Sequence, residues 1–259
     1  MLDLSPHSFR GMRPDSRSII PDTTLCMIVR DELMNSAGGI ERMLRHHIPH
    51  FTQVDVADTG SVDGTREKLA ELEKEYEQLR VYDHAFDGYG PSRNFIKSKA
   101  RTRLVAMLDA DELITHQDLS RIRRIINNRE GLVGIHFPFR QVKKTIGEPN
   151  YEFGHNPRIY RNLPDYNYRG KVWENLFDED EEEQVRYTVG DGIERENLPM
   201  VKVPIYHFEP QDEEVYLDKR KELYTDLQLK GRFDVPPSRV KGFKLWKAFN
   251  PLRNAPQFN

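Results

Sequence analysis

Along the first 140 positions, short continuous apolar runs alternate with stretches of helical periodicity. Leu25-Cys26-Met27-Ile28-Val29 contains no Gly or Pro, as expected of a strand buried on both faces, and it ends in Arg30-Asp31-Glu32. Ile40, Met43, Leu44, His47 and Ile48 then recur at helical spacing, with His46 and His47 read as ordinary helix residues. Val54 to Asp58 predicts a second strand, broken by Thr59-Gly60-Ser61-Val62-Asp63-Gly64-Thr65. Gly60 and Gly64 allow tight turns there, and Asp63 or Thr65 can cap a helix carrying Leu69, Leu72 and Tyr76 on one face. Val81-Tyr82-Asp83 is a short third strand, and Ser92-Arg93-Asn94-Phe95 opens the next helix. Leu104 to Leu108 is another buried run, followed by a helix with Leu119, Ile122, Ile125 and Ile126 inward and a strand over Leu132 to Phe139. Strand–helix repeats followed by a strand ending in carboxylates predict an α/β fold: a mostly parallel, doubly wound sheet flanked by helices.

Beyond about residue 140 the pattern changes. Tyr151 to His155 and Pro157 to Arg161 are aromatic-rich and irregular, suited to an antiparallel flap or pocket wall, and Tyr166, Tyr168, Trp173 and Phe177 thicken that wall. Core packing is the common use of such residues; stacking on a sugar ring is the functional one. Asp178 to Glu183 is an acidic, solvated loop. Met200 to Phe208 predicts a strand in which His207 shares a face with Val201, Val203 and Ile205, the position of a core histidine. Val215 to Leu229 is a charged amphipathic helix, and the tail from Phe233 carries Phe243, Leu245, Trp246 and Phe249 to cover the core, touch a membrane surface or meet another subunit. The division expected is a leader over 1–22, a globular domain over 23–209 with halves 23–140 and 141–209, and a helical extension over 210–259.

Charge and composition narrow the function classes. A formal net charge of −3 with both signs interspersed gives no footprint for nucleic acid. The lone Cys26 forms no internal disulfide, which suits a reducing compartment. No apolar stretch approaches the roughly 20 residues that span a bilayer, and the N-terminus lacks a secretory apolar segment. The expectation is a cytoplasmic protein with no transmembrane segment, able to make peripheral membrane contact or to form a homo-oligomer.

The chemistry concentrates at Leu108-Asp109-Ala110-Asp111-Glu112. In an extended backbone Asp109 and Asp111 point to one face, and like charges that close raise each other's pKa unless a cation intervenes. Hard oxygen ligands favour Mg²⁺ or Mn²⁺ with a substrate diphosphate, at the carboxyl end of a parallel strand where open α/β sheets bind ligands. The plainer alternative is an acidic turn in which Asp111 caps the next helix. Asp58 ends the second strand, placed to accept a hydrogen bond from a nucleobase or ribose; turn-and-cap chemistry is its alternative. Arg93, a cation in the first turn of a helix, implies an anionic partner such as a diphosphate or one of these carboxylates.

Taken together, Leu25 to Glu32, Asp58 to Thr65, Ser92 to Phe95 and Leu108 to Glu112 resemble, in order and spacing, the family 2 glycosyltransferases with the A-type nucleotide-sugar fold. That resemblance implies a Rossmann-like domain that transfers a sugar from a nucleoside-diphosphate sugar, with a divalent Mn²⁺ or Mg²⁺, to a glycan, lipid-linked or protein acceptor. It implies that Arg30, Glu32, Asp58, Arg93 and Asp109 bind the nucleotide sugar, with Asp58 on the nucleobase and Asp109 on the ribose or a metal-bound water. It implies that Asp111 binds the metal and that His207 completes the metal shell. Gly170-Lys171-Val172-Trp173-Glu174 matches a looser pattern in which His usually precedes Glu; Trp173 stands there instead, and Glu174 is the implied general base of an inverting reaction. The alternatives are a non-catalytic nucleotide-sugar binding module and a nucleotidyltransferase. The latter would carry a Gly-rich phosphate loop where this chain has Arg30 to Asn35.

Overall fold

The structure, a computed structural model, describes residues 19–35, 37–128, 134–135, 137–142, 151–153, 157–170, 175–178, 183–184 and 205–208. Residues 1–18 of the leader and the whole extension over 210–259 lie outside the described residues, as do Trp173 and Glu174.

Four strands, β1 (Ile20–Val29), β2 (Phe51–Asp58), β3 (Leu79–Asp83) and β4 (Leu104–Met107), pair in parallel in the order β3-β2-β1-β4. Helices α1 (Ile40–His47), α2 (Thr65–Glu75) and α3 (Tyr89–Lys97) connect them, and α4 (His116–Asn127) follows β4. β1 starts at Ile20, fully buried and paired with Phe51, so the sheet begins before the boundary expected at residue 23.

Alternation along each strand divides the core between two faces. Leu25, Met27, Val29, Val54, Val56, Leu104, Ala106 and Leu108 pack with Ile40, Leu44, Leu69, Leu72, Leu119, Ile122 and Ile126 of α1, α2 and α4. Cys26, Ala57, Val105 and Met107 pack on the opposite face with Ile96 of α3 and with Tyr160, Tyr166, Tyr168 and Leu176. Burial on both faces explains why these strands read as unbroken apolar runs.

The strand expected over Leu132 to Phe139 is two strands within the described residues. β6 (Gly134–Ile135) joins the main sheet, and β7 (Pro138–Val142) pairs antiparallel with β8 (Tyr151–Phe153) in a second one. β9 (Ile159–Arg161) runs antiparallel between β4 and β6. The aromatic half also supplies a small antiparallel sheet of β10 (Tyr166–Arg169), β11 (Asn175–Asp178) and β12 (Glu183–Gln184). β5 (Glu112–Leu113) pairs antiparallel with β13 (Ile205–Phe208), which runs parallel to β7. Among the described residues no helix is long and apolar enough to cross a membrane.

Helix α3 begins three residues earlier than its sequence pattern suggests. Pro91 falls in the first turn, where its missing N–H has no helical partner to lose, so the helix extends back to Tyr89. Arg93 therefore sits in the second turn rather than the first.

Four imidazoles gather where α1 meets the segment entering α4. The His47 ring is fully buried: Nδ1–H donates to the Met43 carbonyl at 2.9 Å and Nε2 accepts the Ile114 amide at 3.3 Å. His46 Nε2–H donates to the Ile114 carbonyl at 2.8 Å, while His50 Nε2 and His116 Nδ1 lie 2.7 Å apart. Because a carbonyl only accepts, the His46 and His47 tautomers are fixed. Burial, reinforced by the neighbouring imidazoles and Arg42, pushes His46 from 6.5 down to about 4, and burial pushes His47 well below its ordinary value. The folded state thus favours the neutral rings, and below pH 6.5 the unfolded chain takes up protons that the native rings refuse. This contribution to stability is present above pH 6.5 and is lost as pH falls toward 4. The Tm difference between wild type and His46→Gln, read from pH 7.5 to 4.5, should move in favour of the variant on acidification; a pH-independent difference would show that His46 titrates alike in the folded and unfolded states.

Candidate functional site

All four parallel strands end on one edge of the sheet, and the strand order reverses between β1 and β4, the place where doubly wound sheets leave a crevice. Three loops meet there. After β1, the Asp31 amide donates to Ser61 Oγ at 2.9 Å, the Glu32 amide to Thr65 Oγ1 at 2.8 Å and the Leu33 amide to Asp63 Oδ2 at 3.0 Å. The Val62 amide returns a bond to Asp31 Oδ1 at 2.7 Å. The loops after β1 and β2 are thus laced through backbone amides and side-chain oxygens, which is what the Asp, Ser and Thr residues of the second loop are for. At the head of that loop Asp58 is 4% exposed. Its Oδ1 accepts the Gly60 and Ser61 amides, each at 3.0 Å, whereas Oδ2 is buried with no hydrogen-bond partner among the described residues.

The third loop follows β4 and is a turn, not the extended segment expected. The Glu112 amide donates to the Asp109 carbonyl at 3.1 Å, and the Asp109 amide donates to Glu112 Oε2 at 3.0 Å. That closure sends Asp109 and Asp111 to different partners. Arg93 Nη2 donates to Asp109 Oδ1 at 2.7 Å, and Arg158 Nη2 lies 3.4 Å from Asp109 Oδ2 while also bonding Glu112 Oε1. The cation invoked to let carboxylates gather here is therefore built into the chain as two guanidiniums. Burial works against ionised Asp109, but Arg93 and Arg158 outweigh it and hold the carboxyl well below the usual carboxylate range. Glu112, buried deeper, goes the other way: burial pushes it up to about 7 against the pull of Arg158.

Helix α3 is clamped where it must deliver Arg93. Asn94 Nδ2 donates to the Tyr168 carbonyl at 2.9 Å and Asn94 Oδ1 accepts the Tyr168 amide at 2.7 Å, so the side chain pairs with β10 as a strand would. One turn earlier the Gly90 amide donates to the Gly170 carbonyl at 3.1 Å; a Cβ at Gly90 would meet that oxygen at 2.3 Å, so only glycine permits the approach. The Arg93 guanidinium carbon lies 5.8 Å from the centroid of the Tyr168 ring. Tyr166 and Tyr168 are core residues, and their packing fixes this clamp.

Asp111 does not cap the next helix: Thr115 holds that position, accepting the Asp118 amide at 3.2 Å. Instead Asp111 Oδ2 lies 3.5 Å from His207 Nε2, brought there because β13 pairs with β5 and sets His207 opposite Glu112. Burial opposes a charged His207, but Asp111 and the carboxylates behind it lift the imidazolium to about 9. Asp111, His207 and Asp109 are each about one-third exposed, at 29%, 32% and 31%, and differ in their partners: Asp109 is committed to two guanidiniums. Arg30 is partly exposed, with Nε 3.9 Å from Asp31 Oδ2. Glu32 Oε2 accepts Asn35 Nδ2 at 3.0 Å.

Two residues at this edge were not singled out from the sequence. Arg158 arrives because β9 runs antiparallel to β4, which places the start of one strand beside the end of the other; the Met107 amide donates to the Arg158 carbonyl at 2.8 Å. The run Pro157-Arg158 before an aromatic strand was the available signal, but pairing direction is not legible in one strand. Asn35 links the first loop to the third, donating from Nδ2 to the Ala110 carbonyl at 3.0 Å.

The family model described as Glycosyl transferase family 2 matches residues 34–183, more than half of the chain. The chain belongs to glycosyl transferase family 2. Among solved structures, S. aureus TarS 1-349 in complex with UDP-GlcNAc superposes with a TM-score of 0.52 at 16% identity, over 74% of this chain and 60% of that one. S. aureus TarS gives 0.50 at 16% identity, over 73% of this chain and 37% of TarS. The mannosyltransferase PcManGT from Pyrobaculum calidifontis, solved with GDP-Man and Mn²⁺, gives 0.39 at 19% identity, over 49% of this chain and 38% of its own. At such identities the TarS likeness is one of fold, and it agrees with the A-type fold expected from the sequence. The family 2 chain spans 60% or less of these solved chains. No curated protein matches it significantly.

The Arg93–Asp109 pair yields a direct test. Removing one partner of a fully buried pair strands the other charge, at a cost of about 3–5 kcal/mol; here Asp109 is 31% exposed and keeps Arg158, which lowers that cost. Arg93→Met should therefore lower unfolding stability in urea by about 2 kcal/mol, between the values of an exposed and a buried pair. Arg93→Met combined with Asp109→Asn should recover part of the loss. A change below about 1 kcal/mol, the value of an exposed pair, would show that Asp109 is held by solvent.

Proposed function

We propose that this chain binds a nucleoside-diphosphate sugar in the crevice between the ends of β1 and β4 and transfers the sugar, with inversion, to a hydroxyl of a glycan, lipid-linked or protein acceptor. Asp58 carries this reading. A buried carboxylate oxygen without a donor costs about 1–3 kcal/mol, and a nucleobase N–H restores the missing bond. Because Asp58 Oδ1 is already filled by two amides, the residue offers a single oxygen, enough for one ring N–H such as that of uracil. The fold neighbour crystallised with UDP-GlcNAc makes uridine diphosphate the first donor to try.

The diphosphate belongs at the other end of the crevice, beside the Asp109–Glu112 turn. Arg93 and Arg158 fix Asp109 as a permanent anion there, so its carboxylate can accept ribose hydroxyls without taking up a proton. Asp111 and His207 supply one carboxylate oxygen and one imidazole nitrogen 3.5 Å apart, a donor set that suits Mn²⁺ or Mg²⁺ when diphosphate oxygens complete the shell. Bound there, the ion supplies Lewis-acid neutralisation of charge on the departing diphosphate. His207 must give up its proton to ligate. Arg30 and Glu32 line the nucleotide side of the crevice. Glu174 is assigned as the base that takes the acceptor proton, a role typically worth 10²–10⁴-fold in rate.

The second reading, a non-catalytic nucleotide-sugar module, draws on one observation: both aspartates of the acidic turn already face resident cations. Thermal shift with UDP, GDP, CDP and ADP, each with and without Mn²⁺, tests the binding step on wild type and Asp111→Asn. One diphosphate should raise Tm, by the equivalent of about 2.7 kcal/mol at a hundredfold excess over Kd. The Mn²⁺-dependent part of the shift should vanish in Asp111→Asn. Glu174→Gln should keep the shift and lose turnover, which also separates enzyme from module. No shift with any nucleotide on folded protein would refute the proposal.

A further inference from the structure

The sequence places no special weight on Asn35, yet four contacts fix its side chain. Oδ1 accepts the Ala37 amide at 3.0 Å and the Gly39 amide at 2.9 Å. Nδ2 donates to Glu32 Oε2 and to the Ala110 carbonyl, each at 3.0 Å. With two amide N–H groups on one end, and a carboxylate and a carbonyl on the other, the amide has one orientation that satisfies every partner. Gly39 makes the oxygen end possible: it sits at φ +93, and a Cβ there would meet the Leu33 carbonyl at 2.4 Å.

The nitrogen end reaches the acidic turn. The Ala110 carbonyl belongs to the peptide unit that joins Ala110 to Asp111, and a peptide unit is a rigid plane. Residues 110 and 111 lie in a turn, beyond the end of β4. The Asn35 bond holds that plane, and with it the direction in which the Asp111 side chain leaves the backbone. Glu32, the other acceptor of Nδ2, is itself anchored through its amide to Thr65 Oγ1. A continuous path thus runs from the loop headed by Asp58, through Glu32 and Asn35, to the peptide that carries Asp111.

We propose that Asn35 is a positioning residue of the donor site: its side-chain amide locks the Ala110–Asp111 peptide and so couples the loops that read the base to the carboxylate that meets the metal and diphosphate. The inference rests on the donor-site reading above. It does not require Asn35 to touch the nucleotide.

The test measures UDP affinity by calorimetry with and without Mn²⁺, for wild type, Asn35→Asp and Asn35→Ala, with Tm recorded for each. Asn35→Asp keeps an oxygen for the Ala37 and Gly39 amides but has no N–H for Ala110. Its Tm should fall, because a second carboxylate oxygen replaces the N–H donor against Glu32 Oε2 and the Ala110 carbonyl, and the gain in affinity conferred by Mn²⁺ should fall tenfold or more while metal-free UDP affinity falls less. Asn35→Ala is the uncharged counterpart; it also loses the oxygen end, so Tm should drop, but the Mn²⁺ gain must fall as well. The proposal is overturned if both variants keep the wild-type Mn²⁺ gain. It is overturned equally if only the charged variant loses it, which would indicate electrostatics, or if metal-free affinity falls in step with the metal-dependent one, which would indicate a general folding role. Failure of wild type to bind UDP or the other diphosphates at all would instead refute the donor-site reading.

Discussion

Everything at the ligand edge of this sheet depends on keeping Asp109 charged beside other carboxylates in a mostly buried turn. The repulsion among Asp109, Asp111 and Glu112 would ordinarily demand an external cation or a protonated acid. Here Arg93 and Arg158 neutralise Asp109 from two sides, His207 faces Asp111, and Glu112 is pushed toward its neutral form by burial. The charges of the turn are therefore balanced by side chains of the protein itself. Much of the surrounding architecture serves that arrangement: the Asn94 clamp and the Gly90 contact hold the helix that bears Arg93, and antiparallel β9 brings in Arg158.

This division of labour gives the acidic residues distinct roles. Asp109 is a structural anion, held in place by guanidinium geometry. Asp111 and His207 face each other, with an oxygen and a nitrogen donor beside the crevice. Asp58, at the far side, is half satisfied by backbone amides, and its other oxygen is buried without a hydrogen-bond partner among the described residues. In the proposed function, base recognition and diphosphate recognition lie on neighbouring loops, which Glu32 and Asn35 join.

The parallel core was legible because strands buried on both faces announce themselves as unbroken apolar runs, and helices as periodic ones. The chemistry at strand ends was legible too, since Asp58, Asp109 and Asp111 follow such runs directly. Local pattern alone could not show the turn at Ala110, which depends on the reciprocal bonds between Asp109 and Glu112. Nor could it show that Arg158 and His207 reach the same edge, because each is delivered by long-range strand pairing whose direction is not written in either strand. Arg93 stands out in the sequence through its helical position. Its place in the second turn and its pairing with Asp109 came from a helix start that Pro91 tolerates. The single Asn35 carries no periodic or charge signal and gains meaning only from its four partners.

A crystal structure of the protein with UDP and Mn²⁺ tests the central claim most directly. The account predicts the base N–H on Asp58 Oδ2, the ion on Asp111 and His207, and an intact Arg93–Asp109 pair beside the diphosphate. A nucleotide bound away from the β1–β4 crevice, or an ion that takes Asp109 from Arg93, would contradict it.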